Sequence, residues 1–204
     1  MHYNKDSMEL KATPHKIDNH NIYELTANNS KPLFYCVVEN SLLLSSSKDS
    51  LSSARYGQLY LFKATKLGSD WDTVESLSIN SENYSVKNPS VSADGSTLYF
   101  SSNMPGGYGN FDLYKAAINS DGTIGEPENL GQKINTEGQE MFPYVSSNNT
   151  LYFSSNGHLG LGGMDVFYTK EIDGKMAPVR NVGIPINSNG DDFAFMIDEE
   201  SEEG

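Results

Sequence analysis

Two carboxylates stand at matched places in this chain. Glu140 heads Glu-Met-Phe-Pro-Tyr-Val, and Asp192 heads Asp-Phe-Ala-Phe-Met-Ile with Asp191 beside it. Carboxylates that flank a glycosidic bond can cleave it, provided their separation in space suits the reaction. A ring of carboxylates can instead bind a cation or a basic partner segment, or simply hydrogen-bond neighbouring structural units. A second set of candidates lies in two loops, Gly107-Tyr-Gly-Asn-Phe-Asp112 and Gly160-Leu-Gly-Gly-Met-Asp165. Both read G-x-G-x-x-D, close to a dinucleotide fingerprint. That fingerprint needs a third glycine and a following helix whose N-terminus holds the pyrophosphate. Here an Asp and a strand-like run follow, so the reading is structural. Gly107, Gly109, Gly160 and Gly162 permit a tight inter-strand loop, and Asp112 and Asp165 accept loop N–H groups to hold it closed. One Asp per loop is too few for a calcium site without backbone help.

Other catalytic constellations are missing. His2, His15, His20 and His158 lack metal-ligand spacing, and there is no G-x-S-x-G elbow. The pairs Ser101-Ser102 and Ser154-Ser155 recur with a strand, so they follow the fold rather than a nucleophile. The single Cys36 can form no internal disulfide and lies in a strand-like run, where a buried, inert thiol is expected. The residues call for no catalytic group, no metal and no cofactor. Tyr108 and Met164, on the two loops, are candidate contact anchors. With 27 acidic against 14 basic residues, the net charge of -13 argues against nucleic acid and anionic lipid as partners. No apolar signal segment opens the sequence, and no run of eighteen apolar residues interrupts it.

The elements that must position these residues come from a repeat. Leu98-Tyr-Phe-Ser-Ser-Asn103 recurs as Leu151-Tyr-Phe-Ser-Ser-Asn156, Pro89 as Pro143, and Asp112-Leu-Tyr as Asp165-Val-Phe. Ile79-Asn80, Ile134-Asn135 and Ile186-Asn187 mark the same period independently. A unit of this length, built of short strands and Gly-rich turns, is the signature of β-propeller blades. Asp94-Gly95 is expected to form a two-residue type I′ hairpin turn, with Asn148-Asn149 in the same place later. The segments 125–131 and 177–183 read as outermost strands, where Pro127 and Pro178 are tolerated.

The expected fold is all-β, made of four-stranded antiparallel blades. Residues 1–30 form an N-terminal segment, either outer strands of a preceding blade or an irregular extension. A degenerate blade covers 31–87, in which Gln58 replaces the loop Asp and a Ser-rich stretch replaces the Gly-rich loop. Full blades cover 88–139 and 140–187, and 188–204 starts a further blade that ends in an acidic tail. About three complete blades cannot close a ring, for which four is about the minimum. Either residues 1–30 pair with the C-terminal strand, or the chain is a segment of a larger propeller.

The pattern Pro-x-Val-Ser-x-Asp-Gly-x-x-Leu-Tyr-Phe-Ser-Ser-Asn, followed by Gly-Gly-x-Gly-x-x-Asp-Leu-Tyr, resembles the WD-like repeat of TolB-type propellers. The run Glu-Pro-x-Asn-Leu-Gly-x-x-Ile-Asn-Thr narrows the resemblance to the propeller of Bacteroidetes envelope proteins that also carry an OmpA-like peptidoglycan-binding domain. Some of these belong to the type IX secretion and gliding apparatus. The likeness covers about residues 31–197 and is most specific across 88–192. It implies a periplasmic, outer-membrane-associated interaction platform whose partners are envelope proteins. Contact with peptidoglycan or membrane would come only through a domain or tether that this chain does not contain. The alternative is a carbohydrate-binding or glycan-cleaving propeller that uses Glu140, Asp191 and Asp192.

Overall fold

The computed structural model describes residues 11–17, 20–26, 32–38, 41–47, 59–67, 70–172 and 174–197, with side chains for 59–63, 75–172 and 174–197. The Cys36 thiol, the rings of His2, His15 and His20, the Ser-rich stretch with Gln58, and the acidic tail lie outside the described residues.

Every described element is a strand, and the strands form antiparallel sheets. The first sheet is a six-stranded meander of β1 (Lys11–Ile17), β2 (His20–Thr26), β3 (Pro32–Val38), β4 (Ser41–Ser47), β5 (Leu59–Leu67) and β6 (Asp70–Ser76). The boundary expected at residue 30 falls between β2 and β3, which pair in this one sheet, with Tyr23 opposite Tyr35.

The second sheet contains β7 (Val86–Val91), β8 (Thr97–Ser102), β9 (Asp112–Ala117) and β10 (Glu128–Asn129), paired in sequence order. The third contains β11 (Glu140–Val145), β12 (Thr150–Ser155), β13 (Asp165–Ile172), β14 (Lys175–Met176) and β15 (Arg180–Asn181), with β14 and β15 both pairing β13. The outermost strands are shorter than expected. Pro127 and Pro178 bring no N–H to the ladder, and pairing shrinks to two residues in β10, in β14 and in β15.

The hairpin turns also differ from expectation. Gly95 donates to the Ser92 carbonyl (2.9 Å), and Gly95 (φ 73°) has positive φ while Asp94 does not. The turn is therefore not type I′: the left-handed residue follows the turn rather than lying inside it. Asn149 (φ 63°) and Gly122 (φ 78°) do the same after Ser146 and Asn119. The acidic or amide residue serves by its side chain. Asp94 accepts from the Ser96 N–H (3.0 Å) and Asp121 from that of Thr123 (3.0 Å). These bonds hold both carboxyls below the usual carboxylate range.

Alternation along the strands sends side chains to two interfaces. Leu98, Phe100, Tyr114 and Ala116 of the second sheet pack with Leu61, Leu77 and Ile79. Leu113, between the last of these, points the other way and packs with Ile134, Val145, Leu151, Phe153 and Phe167. The second sheet is thus covered on both faces.

Candidate functional site

The loop-closing Asp residues carry out the local work that their spacing suggests. Asp112, buried, accepts from the Tyr108 N–H at Oδ2 (2.7 Å) and the Gly109 N–H at Oδ1 (2.9 Å), and Asn129 Nδ2 donates to Oδ2 (2.8 Å). Asp165 Oδ2 accepts from the Leu161 and Gly162 N–H groups, each at 2.9 Å. A Cβ on Gly107 would stand 2.7 Å from Asp112 Oδ2, and one on Gly160 would stand 2.0 Å from Asp165 Oδ2, so the carboxylate fills the space a side chain would need. Gly109 and Gly162 serve a different contact. Their Cβ positions meet the backbone carbonyls of Gly138 (2.2 Å) and Gly190 (1.8 Å), in the linkers to the next unit.

The result is a clasp between consecutive units. Asn110 N–H donates to Gly138 O (2.9 Å) and Glu140 N–H to Phe111 O (2.7 Å); one repeat later Gly163 N–H donates to Gly190 O (3.2 Å) and Asp192 N–H to Met164 O (2.6 Å). The exposed apolar tips Tyr108 and Leu161, 49% and 51% accessible, occupy matched places on these loops, each with its own N–H fixed by the loop Asp. Met164 is buried and its N–H is bound by Asp191 Oδ1 (2.9 Å), so it faces inward while Tyr108 faces solvent.

Glu140 is fully buried at the head of β11. Its Oε2 accepts from the Thr136 N–H (2.8 Å), and its Oε1 accepts from the hydroxyls of Thr136 and Ser155, each at 2.6 Å. The carboxylate joins the linker behind it to the strand beside it, and neither oxygen is left for a substrate. Asp192 reproduces half of this arrangement, taking the Ser188 N–H (2.6 Å) and hydroxyl (3.0 Å) at Oδ2. Asp191 turns instead to Met164 and lies close to Gly163. The structure therefore places Glu140 and Asp192 at equivalent points and leaves Asp191 in a different role. Among the described residues, no three His, Cys, Asp or Glu side chains converge as metal ligands would.

Some contributors were not found by sequence reasoning. Asn80, Asn135 and Asn187 each clamp one residue of the third strand of a unit, accepting its N–H and donating to its carbonyl: Leu61 (2.8 and 2.6 Å), Leu113 (2.8 and 3.0 Å) and Val166 (2.8 and 2.8 Å). The recurring Ile-Asn pair was the available signal. Asn88, Phe142 and Ala194 share positive φ (52°, 53° and 57°), and in β7 and β11 this residue lies at a register shift. Lys87, just before the first bulge, lies 3.6 Å from the centroid of the Phe111 ring and 3.0 Å from Met141 Sδ. Burial lowers its ammonium to a pKa of about 8.

No family model matches the chain, and no curated protein matches it. Ten chains among the solved structures do. One is a puromycin hydrolase S511A mutant complexed with PGG, 12% identical, with a TM-score of 0.45 over 84% of this chain and 30% of that one. The chain spans less than a third of that protein's length, and a likeness at this level carries no functional argument.

Proposed function

We propose that this chain is a non-catalytic β-propeller interaction platform of a bacterial cell-envelope protein, periplasmic and associated with the outer membrane. Its three antiparallel sheets are the blades, and partners dock on the loops between them. The observation that carries this reading is the pair of matched loop tips. Tyr108 and Leu161 stand exposed while buried carboxylates fix their backbone, so apolar contact area is presented with little left to order on binding. The saturated Glu140 carboxylate favours a platform over a glycan-cleaving site, since a general acid or base must have an oxygen free for the substrate.

The test places a photo-crosslinking residue at Tyr108 or Leu161 in the tagged protein in its own cells, followed by fractionation of the envelope. Crosslinks to envelope proteins, with components of type IX secretion and gliding as the first candidates, are expected from both positions and not from Glu126 on the outer turn. A protein found in the cytoplasmic fraction, or one whose crosslinks do not depend on the position, overturns the reading.

A further inference from the structure

Residues 191–197 repeat the start of β11 contact for contact. Asp192 takes the place of Glu140, Ser188 that of Thr136, and Met164 that of Phe111. Gly138 N–H donates to Thr136 Oγ1 at 3.0 Å and Gly190 N–H to Ser188 Oγ at 3.1 Å, and Ala194 has the left-handed φ of Phe142. The segment is also packed on the third sheet, with Phe193 stacked on Phe142 (5.3 Å between centroids), Phe195 against Tyr152 (5.1 Å), and the Tyr144 hydroxyl donating to the Ile197 carbonyl (2.9 Å).

One part of the template is missing. β11 pairs with β12, which sets Ser155 opposite Glu140, Ser154 opposite Met141, Tyr152 opposite Tyr144 and Leu151 opposite Val145. β7 pairs with β8 in the same way. Among the described residues nothing pairs with 191–197, and Asp192 has no counterpart of the Ser155 hydroxyl. The uncovered edge shows in exposure as well. Phe193 and Met196 are 57% and 38% accessible, and Ile186 is 40% accessible where its equivalents Ile79 and Ile134 are 4% and 0%.

We propose that residues 191–197 are an acceptor edge for one antiparallel β-strand supplied in trans by a partner, of the type Leu-x-Tyr-x-Ser-Ser, whose last serine donates its hydroxyl to Asp192. The surface continues the interface already formed between the second and third sheets, and the occupied copy at β11 supplies the register. In that register the partner's two serines face Asp192 and Phe193, and its tyrosine and leucine face Met196 and Ile197. Main-chain bonds give the affinity of such strand addition, and the alternate side chains give its specificity. The inference rests on the equivalence of the two strand starts and not on the envelope location proposed above.

The probe is a fluorescent peptide with the sequence of residues 149–156, Asn-Thr-Leu-Tyr-Phe-Ser-Ser-Asn, flanked by lysines and titrated with the whole chain by anisotropy. Saturable binding is expected. Replacing the second serine of the peptide by alanine, or making Asp192→Ala in the chain, is expected to weaken it about tenfold, the scale of one hydrogen bond to a charged group. Because the peptide variant leaves the chain untouched, a folding defect in Asp192→Ala does not blur the result. Absence of saturable binding, or equal binding of a scrambled peptide with the same lysines, overturns the proposal. So does indifference to the serine.

Discussion

Removing the Glu140 side chain is the most informative single perturbation. Glu140→Ala would leave the Thr136 N–H and two hydroxyls without their acceptor in a site where Glu140 itself is 0% accessible. Each hydrogen bond to a charged group contributes about 1.5–3 kcal/mol net, and the hydroxyls can partly re-aim while the N–H cannot. A loss of about 3–5 kcal/mol follows, a large share of the stability of a domain of ordinary size. Glu140→Gln keeps the shape and one acceptor but points an amide donor at donors, for a loss of about 1–3 kcal/mol. Asp192→Ala removes the equivalent group from a part-exposed position and should cost under about 1 kcal/mol, because water replaces the carboxylate there. Urea unfolding followed by fluorescence and by far-ultraviolet dichroism, with coincident transitions required, measures all three. A Glu140→Ala loss below about 1 kcal/mol, or one no larger than that of Asp192→Ala, would refute the assignment of Glu140 as the tie between linker and strand.

Asn135→Ala is expected to cost about 2–3 kcal/mol, since it strips both backbone groups of Leu113 of their buried partner, and faster amide exchange at Leu113 is the direct check. Gly109→Ala forces a Cβ against the Gly138 and Thr136 carbonyls and should open the clasp ahead of Glu140, with a loss of about 2–4 kcal/mol in the same urea assay. Lys87 supplies a pH test. Its ammonium titrates near 8 in the folded chain and at about 10.5 when unfolded, so between those values the unfolded state binds more protons and stability rises with pH. Lys87→Met should therefore stabilise the chain at pH 7 by about 1 kcal/mol, an allowance for solvent screening of a part-exposed group, and the gain over wild type should shrink by pH 9.5. A gain that is constant across that range contradicts the burial argument.

Local chemistry was legible in the sequence, and contacts across units were not. The two copies of Leu-Tyr-Phe-Ser-Ser-Asn announced strands, and the aspartate that ends each Gly-rich loop announced its own closure, because those interactions span only a few residues. The motif's Asn proved to reach across its hairpin: Asn103 Oδ1 accepts the Ser85 N–H (2.7 Å) and Asn156 Oδ1 that of Gln139 (2.8 Å). The Asp-Gly pair announced a hairpin but not its kind, since turn type depends on which residue the strand register places in the left-handed region, and here that is Gly95 alone of the pair.

The sequence by itself determined the period, the all-β content and the loop glycines, all of which follow from composition and alternation within about fifty residues of chain. Only the tertiary structure decided what Glu140 and Asp192 do. Their environments differ through one hydroxyl, Ser155, which lies opposite Glu140 by strand pairing and has no counterpart at Asp192. A carboxylate's role is set by the donors that reach it and the water that does not. Both depend on how strands and linkers distant in sequence come together.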